Sequence, residues 1–309
     1  MRDKEKPRAT GLLLVGLGLA AATTSCVTGD DTVEGRPTIV VTYSVLGAVV
    51  RDAVGDMADV VVLIPNGSDP HEWEPSAKDI ERLNGADLIV RNGLDLEGAL
   101  QDALDDAADS GVTTFTAADH ITVRTVGEGE GLPTGDADQA VGADDPHLWM
   151  DPLTMAEVVR ALLPALASVG IDAAAGVTRT ESGLVELDAR VGEILAVVAD
   201  VDRELVTGHE SFGYFAARYE FRLVGAIIPS LTSQAEVSSG DLAELAARID
   251  DSGAKAIFTE IGTSAKVAEA IGAETDVEVV DLASHTLPDD GSYASFLLGN
   301  AAKIADALT

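Results

Sequence analysis

The stretch Thr38-Ile39-Val40-Val41-Thr42-Tyr43 is an apolar, β-branched run of strand length, and its pattern recurs along the chain. A helical stretch at 44–57 follows it, and then a second run of the same kind, Val60-Val61-Val62-Leu63-Ile64. Because strands that are buried on both faces read as continuous apolar runs, a strand, a helix and a strand in this order predict a parallel sheet covered by helices. We therefore expect an α/β fold.

The same alternation continues through the rest of the chain. Further strands are predicted at 88–90, 113–115, 205–207, 223–226, 256–258 and 277–282. One long helical pattern at 173–198, with apolar residues three and four apart, separates the first four strands from the last four. We expect two βα lobes with parallel four-stranded sheets, joined by one long rigid helix. The predicted bounds are 38–170 for the N-terminal lobe, 171–200 for the connecting helix and 201–309 for the C-terminal lobe.

The N-terminus is typical of an export signal. Four basic residues lie among the first eight, and the apolar run at 11–22 is too short to span a bilayer. Small residues and then Cys26, the only cysteine, follow this run. This order resembles a bacterial lipoprotein signal and predicts a signal peptide at 1–25, lipidation of Cys26 and a tether at 26–37. We expect an exported chain, anchored by lipid on the outer face of the cytoplasmic membrane or held in the periplasm; an ordinary secreted chain is the alternative.

The composition is strongly acidic. The chain has 53 Asp and Glu residues against 20 Lys and Arg residues, which gives a net charge of −33. Nucleic acid and anionic lipid surfaces repel such a chain, so nucleic acid is excluded as a partner and a cation is favoured. The acidic segment, residues 127–145, is rich in glycine. It is interpreted either as a disordered connection or as a flap that gathers cations, and both interpretations stay open.

Two copies of one short motif contain both tryptophans of the chain. The copies are Asp69-Pro70-His71-Glu72-Trp73 and Asp145-Pro146-His147-Leu148-Trp149. Proline fixes its own φ and pushes the preceding residue toward extended geometry, so each copy holds an imidazole at a defined point of a turn. Two more histidines follow predicted strands: His209 comes after 205–207, and His285 comes after the last strand.

These four histidines predict a metal site in the cleft between the lobes. Ligands of open α/β sheets bind at the loops beyond the carboxyl ends of the strands. The separation of 76 residues is the same from His71 to His147 and from His209 to His285, so each half offers two imidazoles. Four neutral imidazoles suit Zn²⁺, whereas Mg²⁺ and Ca²⁺ prefer oxygen. His120, which lacks the motif, is interpreted as a surface or loop residue.

Carboxylates and aromatic rings lie next to the candidate ligands in sequence. Glu72 and Glu210 each follow a histidine directly, and they are either acceptors that orient the imidazole or solvated charges. Asp69 and Asp145 are interpreted as turn caps. Four aromatic residues are expected to pack the cleft floor: Trp73, Trp149, Phe212 and Tyr214.

Taken together, these motifs resemble the zinc- and manganese-binding solute receptors of bacterial ABC importers. The matching stretches are Asp69 to Ser76, Asp145 to Pro152, His209 to Phe215, Phe258-Thr259-Glu260 and Tyr293 to Asn300. The resemblance covers roughly residues 38–309. It implies two lobes joined by one long helix, a metal ion in the cleft, and delivery to a membrane permease that a cytoplasmic ATPase powers.

The resemblance also implies a ligand set. Three ligands carry over directly, namely His71, His147 and His209, and a histidine at the third position favours zinc because manganese receptors tend to have glutamate there. The fourth position departs from the family, which usually has an aspartate in an Asp-Ser-Leu context after the last strand. Here the best match is Ala283-Ser284-His285-Thr286-Leu287. His285 is therefore the predicted fourth ligand, with Asp281 as the fallback.

The predicted function is capture and not catalysis. We expect an extracytoplasmic receptor that binds Zn²⁺ as cargo and delivers it to an ABC importer permease, with a manganese receptor as the alternative within the family. A zinc hydrolase with three histidines and a water is the alternative from another class, although no His-Glu-x-x-His helix is present. The expected partners are the permease and, through the lipid anchor at Cys26, the membrane. A metallochaperone and an adhesin role stay open, and a monomer is expected.

Overall fold

The computed structural model describes residues 35–128, 130 and 141–309, and all of them belong to one compact unit. The predicted signal at 1–25, the lipidation site Cys26 and most of the tether lie outside the described residues. So do residues 129 and 131–140 of the acidic segment. Within the described part of the chain, no helix has the length and hydropathy to cross a membrane.

The first sheet is parallel throughout and has the strand order β2-β1-β3-β4. Its strands are β1 (Thr38–Tyr43), β2 (Asp59–Ile64), β3 (Leu88–Arg91) and β4 (Thr113–Thr116). Its connecting helices are α1 (Ser44–Val54), α2 (Ala77–Asn84) and α3 (Gln101–Asp109). The predicted helix at 44–57 ends earlier than expected, because Gly55 adopts a φ of 54° and a 3₁₀ turn takes over.

Two helices, α4 (Pro152–Ser168) and α5 (Ala174–Leu195), lie between the two sheets in the sequence. The cap of α4 is Asp151, whose side chain accepts a hydrogen bond from the backbone N–H of Leu153 at 2.9 Å. Pro152 occupies the first position of that helix, where a missing N–H is not needed. The 22 residues of α5 form the long helix that the sequence predicts.

The second sheet repeats the first in topology, with the parallel order β6-β5-β7-β8. Its strands are β5 (Glu204–Thr207), β6 (Arg222–Ala226), β7 (Ala256–Thr259) and β8 (Glu278–Asp281). Its helices are α6 (Gly213–Tyr219), α7 (Ser239–Ser252), α8 (Ala265–Thr275) and α9 (Tyr293–Leu308). The predicted fold class is confirmed: two βα lobes, each with a four-stranded parallel sheet. The lobe boundaries at 170 and 200 stay a prediction.

The helix α5 packs against α4, α1 and α9, so it contacts elements from both ends of the chain. Its buried stripe has the spacing of three and four that the sequence predicts, with Leu184, Leu187 and Val191 as members. Where α5 crosses α1, Gly176 lies so close that a Cβ there would come within 1.9 Å of the carbonyl oxygen of Ala53. The approach of the two helices therefore depends on a glycine.

We predict that Gly176→Ala destabilises the fold by about 1–3 kcal/mol, because the added methyl forces α5 away from α1. Gly183→Ala on the same helix is the matched control. It meets nothing within 4 Å and should gain about 0.5–1 kcal/mol of helix propensity. Thermal and urea unfolding of the two variants measure both effects. Equal stability of the two variants would contradict the close approach.

Candidate metal centre

The structure brings together the four histidines that the sequence singles out. His71 lies in the loop after β2, His147 begins the 3₁₀ turn that leads to α4, and His209 and His285 lie in the loops after β5 and β8. One ligand-type nitrogen from each ring lies within 4.8 Å of the others. His71 follows the second strand of its sheet and His209 the first strand of its own. The equal spacing of 76 residues is therefore not a repeat of topology.

The distances fit one small ion. Nε2 of His147 lies 3.4 Å from Nε2 of His71 and 3.1 Å from Nε2 of His209. A tetrahedral zinc with the usual bonds to nitrogen would separate its ligand atoms by about 3.3 Å. His147, His209 and His285 are at most 1% exposed, and His71 is half-buried. In the described residues, no other group of histidine, cysteine or carboxylate side chains is arranged in this way.

His147 is held by the aspartate of its own motif. Asp145 is completely buried, and its Oδ1 lies 3.0 Å from the backbone N and 2.9 Å from Nδ1 of His147. The other oxygen, Oδ2, accepts a hydrogen bond from Arg124 at 3.0 Å. Asn92 donates to the carbonyl oxygen of Pro146 at 2.8 Å and so fixes the turn itself. The turn cap that the sequence predicts at Asp145 is confirmed, and the same carboxylate also orients the ring.

His209 is held by a carboxylate from the neighbouring strand. Oε1 of Glu260, the residue after β7, accepts from the backbone N of His209 at 3.0 Å and lies 2.8 Å from its Nδ1. Ser211 donates to the same carboxylate. Gly208 makes room for this pair, since a Cβ there would lie 2.8 Å from the side chain of Glu260 and 2.3 Å from that of Thr263.

His285 presents an unpartnered nitrogen to the cluster. Its Nδ1 lies 2.8 Å from Oγ of Ser284, whereas its Nε2 is buried with no hydrogen-bond partner among the described residues. A buried polar atom without a partner is costly, and a metal ion would satisfy it. The ring of Trp149 packs 5.5 Å from that of His285, and its Nε1 donates to the carbonyl of Ser284 at 2.7 Å. Trp149 therefore packs the floor of the site as predicted.

The remaining aromatic residues differ in their distance from the imidazoles. Phe212 and Tyr214 are buried in the main core, and Tyr214 accepts a hydrogen bond from the backbone N of Arg124 at 2.9 Å. Trp73 is only half-buried, at the border of that core. Four aromatic residues were expected to pack the floor of the site. Among them, Trp149 is the one that packs beside the imidazole rings.

Burial keeps most of the cluster uncharged. Burial, aided by the neighbouring imidazoles, holds the pKa of His71 and of His285 well below its ordinary value. Burial also lowers the pKa of His147, although Asp145 opposes it. Burial also acts to lower the pKa of His209, but the carboxylates of Glu260, Asp69 and Asp145 together outweigh it, and the pKa is raised. Neutral imidazoles are the form that binds a metal ion.

Sequence reasoning missed the role of both orienting carboxylates. It weighed Glu72 and Glu210, yet neither bonds to a ring nitrogen of the cluster in the described structure. Glu72 is exposed, whereas Glu210 is buried with an unpartnered Oε1. Burial, followed by the charges of Asp145 and Glu130, raises the pKa of Glu210 to about 7. The Phe258-Thr259-Glu260 strand end belongs to the family resemblance, which is the one signal in the sequence that could have pointed to Glu260 as the acceptor of His209.

Two further residues lie away from the cluster. Asp281, the fallback fourth ligand, is exposed at the end of β8 and is not among the clustered groups. His120 is exposed and stacks on Phe115 at 4.6 Å, as expected of a surface residue.

The turn cap predicted at Asp69 is also confirmed, because its side chain accepts a hydrogen bond from the backbone N of His71 at 3.0 Å.

A two-lobed α/β fold with clustered imidazoles from both lobes is the arrangement of a metal-binding protein. Comparison with known families gives the particular group. The family described as zinc-uptake complex component A, periplasmic, matches residues 39–307, and the chain belongs to that family. Members of this family are solute receptors and not enzymes, so the hydrolase alternative is wrong.

Individual relatives bind different metals, according to their names. The zinc-binding protein TroA of Treponema pallidum is 28% identical over 280 residues, which are 88% of this chain and 84% of that protein. The manganese-binding lipoprotein MntA of Halalkalibacterium halodurans is 25% identical over 272 residues, 87% of this chain and 84% of that one. The solved structure of the periplasmic zinc-binding protein TroA superimposes with a TM-score of 0.77 at 26% identity, covering 89% of this chain and all of that one.

We predict that Glu260→Gln weakens metal binding by about 10- to 100-fold, because the amide no longer holds His209 as a charged acceptor does. Glu72→Gln is the matched control, since this carboxylate directly follows a ligand histidine in sequence but is exposed and bonds to no ring nitrogen of the cluster in the described structure. Calorimetric titration with Zn²⁺ compares the two variants. An equal loss of affinity in both would contradict the role of Glu260.

Proposed function

We propose that this protein is a zinc receptor that captures Zn²⁺ with His71, His147, His209 and His285 and delivers it to an ABC importer permease. The observation that carries the choice of metal is the donor set, which among the described residues consists of four imidazole nitrogens without a carboxylate oxygen. Imidazole suits zinc, whereas manganese favours oxygen ligands. Because the relatives include receptors of both metals, the choice rests on these side chains and not on the family. Manganese remains the alternative cargo.

The proposal includes a place for the protein outside the cytoplasm. Its family consists of periplasmic components, and several relatives are named lipoproteins. We propose that a signal peptide at 1–25 is removed, that Cys26 carries the lipid, and that residues 26–37 tether the lobes to the membrane. The high negative charge of the chain favours the approach of a cation, and the acidic segment adds to it.

Titration of the soluble chain that begins after Cys26 tests the choice of metal. We expect Zn²⁺ to bind much more tightly than Mn²⁺. His209→Ala and His285→Ala should each weaken zinc binding by more than about 100-fold, beyond the effect of losing an orienting partner. His120→Ala is the matched control, because that imidazole is exposed and stacked on Phe115. Tighter binding of Mn²⁺ than of Zn²⁺ would contradict the zinc assignment. An unchanged zinc affinity in His285→Ala would contradict the assignment of His285 as the fourth ligand.

Zinc affinity should fall as the solution is acidified, because protons compete with the metal for imidazole nitrogen. His209, whose pKa is raised by Glu260, is the first to protonate, so the fall begins above the ordinary imidazole value of about 6.5. His71 and His285, whose pKa values are lowered, contribute only at lower pH. Dissociation constants between about pH 7.5 and about pH 5.5 measure this. In Glu260→Gln the fall should begin at lower pH; an affinity independent of pH would contradict the expectation.

A further inference from the structure

The four imidazoles differ in how firmly the protein holds them. Three of them have a hydrogen-bond partner on Nδ1: Asp145 for His147, Glu260 for His209 and Ser284 for His285. The described structure gives Nδ1 of His71 no such partner. The same three are buried, whereas His71 is half-buried. The ring of His71 is therefore the least constrained of the four.

The lobes are also joined by hydrogen bonds from residues close in sequence to His147 and His285. Trp149 donates to the carbonyl of Ser284, and Tyr293 donates to the carbonyl of Trp149, each at 2.7 Å. Arg218 of α6 forms two hydrogen bonds, of 2.9 and 2.8 Å, to the carboxylate of Asp151 at the start of α4. Displacing the loops of His147 or His285 would disturb the contacts that Trp149 makes with Ser284 and Tyr293.

A cavity opens beside His71. It has a volume of about 330 Å³, and its lining includes His71, Asp95, Asp144, Pro146, Leu231 and Thr232. At about 30 Å³ for each water, this space accommodates a divalent ion with its first hydration shell. The exposed carboxylates of Asp95 and Asp144 at the cavity favour a cation there over an anion.

Two polar contacts tie the loop of His71 to the other lobe next to His71 itself, and Asn66 at the start of the same loop exchanges two hydrogen bonds with the backbone of Leu287, at 2.9 and 2.7 Å. Asp69 accepts from the backbone N of His71 through Oδ1 and from the hydroxyl of Ser233 through Oδ2, at 3.0 and 2.6 Å. Gln234 donates to the carbonyl oxygen of His71 at 2.6 Å. Gly262, with a φ of +86°, approaches the same carboxylate, since a Cβ there would lie 2.7 Å from Oδ2 of Asp69.

We propose that His71 is the exchangeable ligand of the site: the ion enters and leaves through the cavity beside it, and Ser233 and Gln234 act as a latch that holds its loop closed. This rests on the proposed zinc function. On release, the latch opens and His71 leaves the ion first. A water or a donor from the accepting protein takes the vacated position while His147, His209 and His285 still bind. On capture the order is reversed.

The latch is tested by the rate at which zinc leaves. The zinc-loaded mature protein is mixed with excess EDTA, and zinc loss is followed in time. Ser233→Ala and Gln234→Ala should each accelerate dissociation by about tenfold, because each removes a hydrogen bond that holds the loop of His71 closed. Ser182→Ala is the matched control, because that hydroxyl is exposed on α5 and donates only to the carbonyl of Thr178. A dissociation rate in Ser233→Ala and Gln234→Ala equal to that of the control would overturn the latch.

The identity of the exchangeable ligand is tested by His71→Gln beside His285→Gln. In His71→Gln, zinc loss should depend on the EDTA concentration, because the chelator reaches the ion through the cavity. In His285→Gln the vacated position is buried, and the rate should not depend on EDTA. The same dependence in both variants would overturn the inference while leaving the zinc function intact. A failure of the unaltered protein to bind zinc would overturn the proposed function and this inference with it.

Discussion

The structure depends on keeping imidazoles from both lobes together, largely dry and uncharged. Such rings are stable side by side only if each is neutral and correctly turned, and the hydrogen bonds on their far sides supply the orientation. Asp145 and Glu260 each bind both the backbone N–H and Nδ1 of their histidine, so a single carboxylate fixes the turn and the ring. The same requirement explains the glycine at position 208, because a side chain there would collide with Glu260.

The rest of the fold serves to hold the two halves of this cluster at a constant distance. One hydrophobic core extends from β1 through Trp149 to α9, and a smaller core around Val206 and Ile257 fills the outer part of the second sheet. The helix α5 packs across elements of both lobes. Because packed cores resist continuous deformation, we expect the lobes to move little against each other and the loops with few apolar contacts to move more.

Most of the strands and four of the site residues were predictable from the sequence. The order of the strands and the carboxylate that orients His209 were not. Strands such as β1 and β3 are buried on both faces and read as unbroken apolar runs, so their existence was clear. The order of the strands within each sheet was not predictable, because the alternation of strands and helices along the chain does not specify which strands pair. The repeated Pro-His-x-Trp motif marked His71 and His147. No local pattern links Glu260 to His209, which lie 51 residues apart, and so the true acceptor was overlooked in favour of the adjacent Glu210.

A continuous core also limits how a loaded receptor differs from an empty one. A protein with two lobes on a flexible hinge changes its overall shape when it binds its cargo. In this chain, helix α5 packs closely against α1 at its own residue Gly176, and the described residues include no long linker. Any signal that distinguishes the filled form must then be displayed by the short surface loops around His71 and Gln234. A permease that docks on this face would recognise a local contour and not the angle between the lobes.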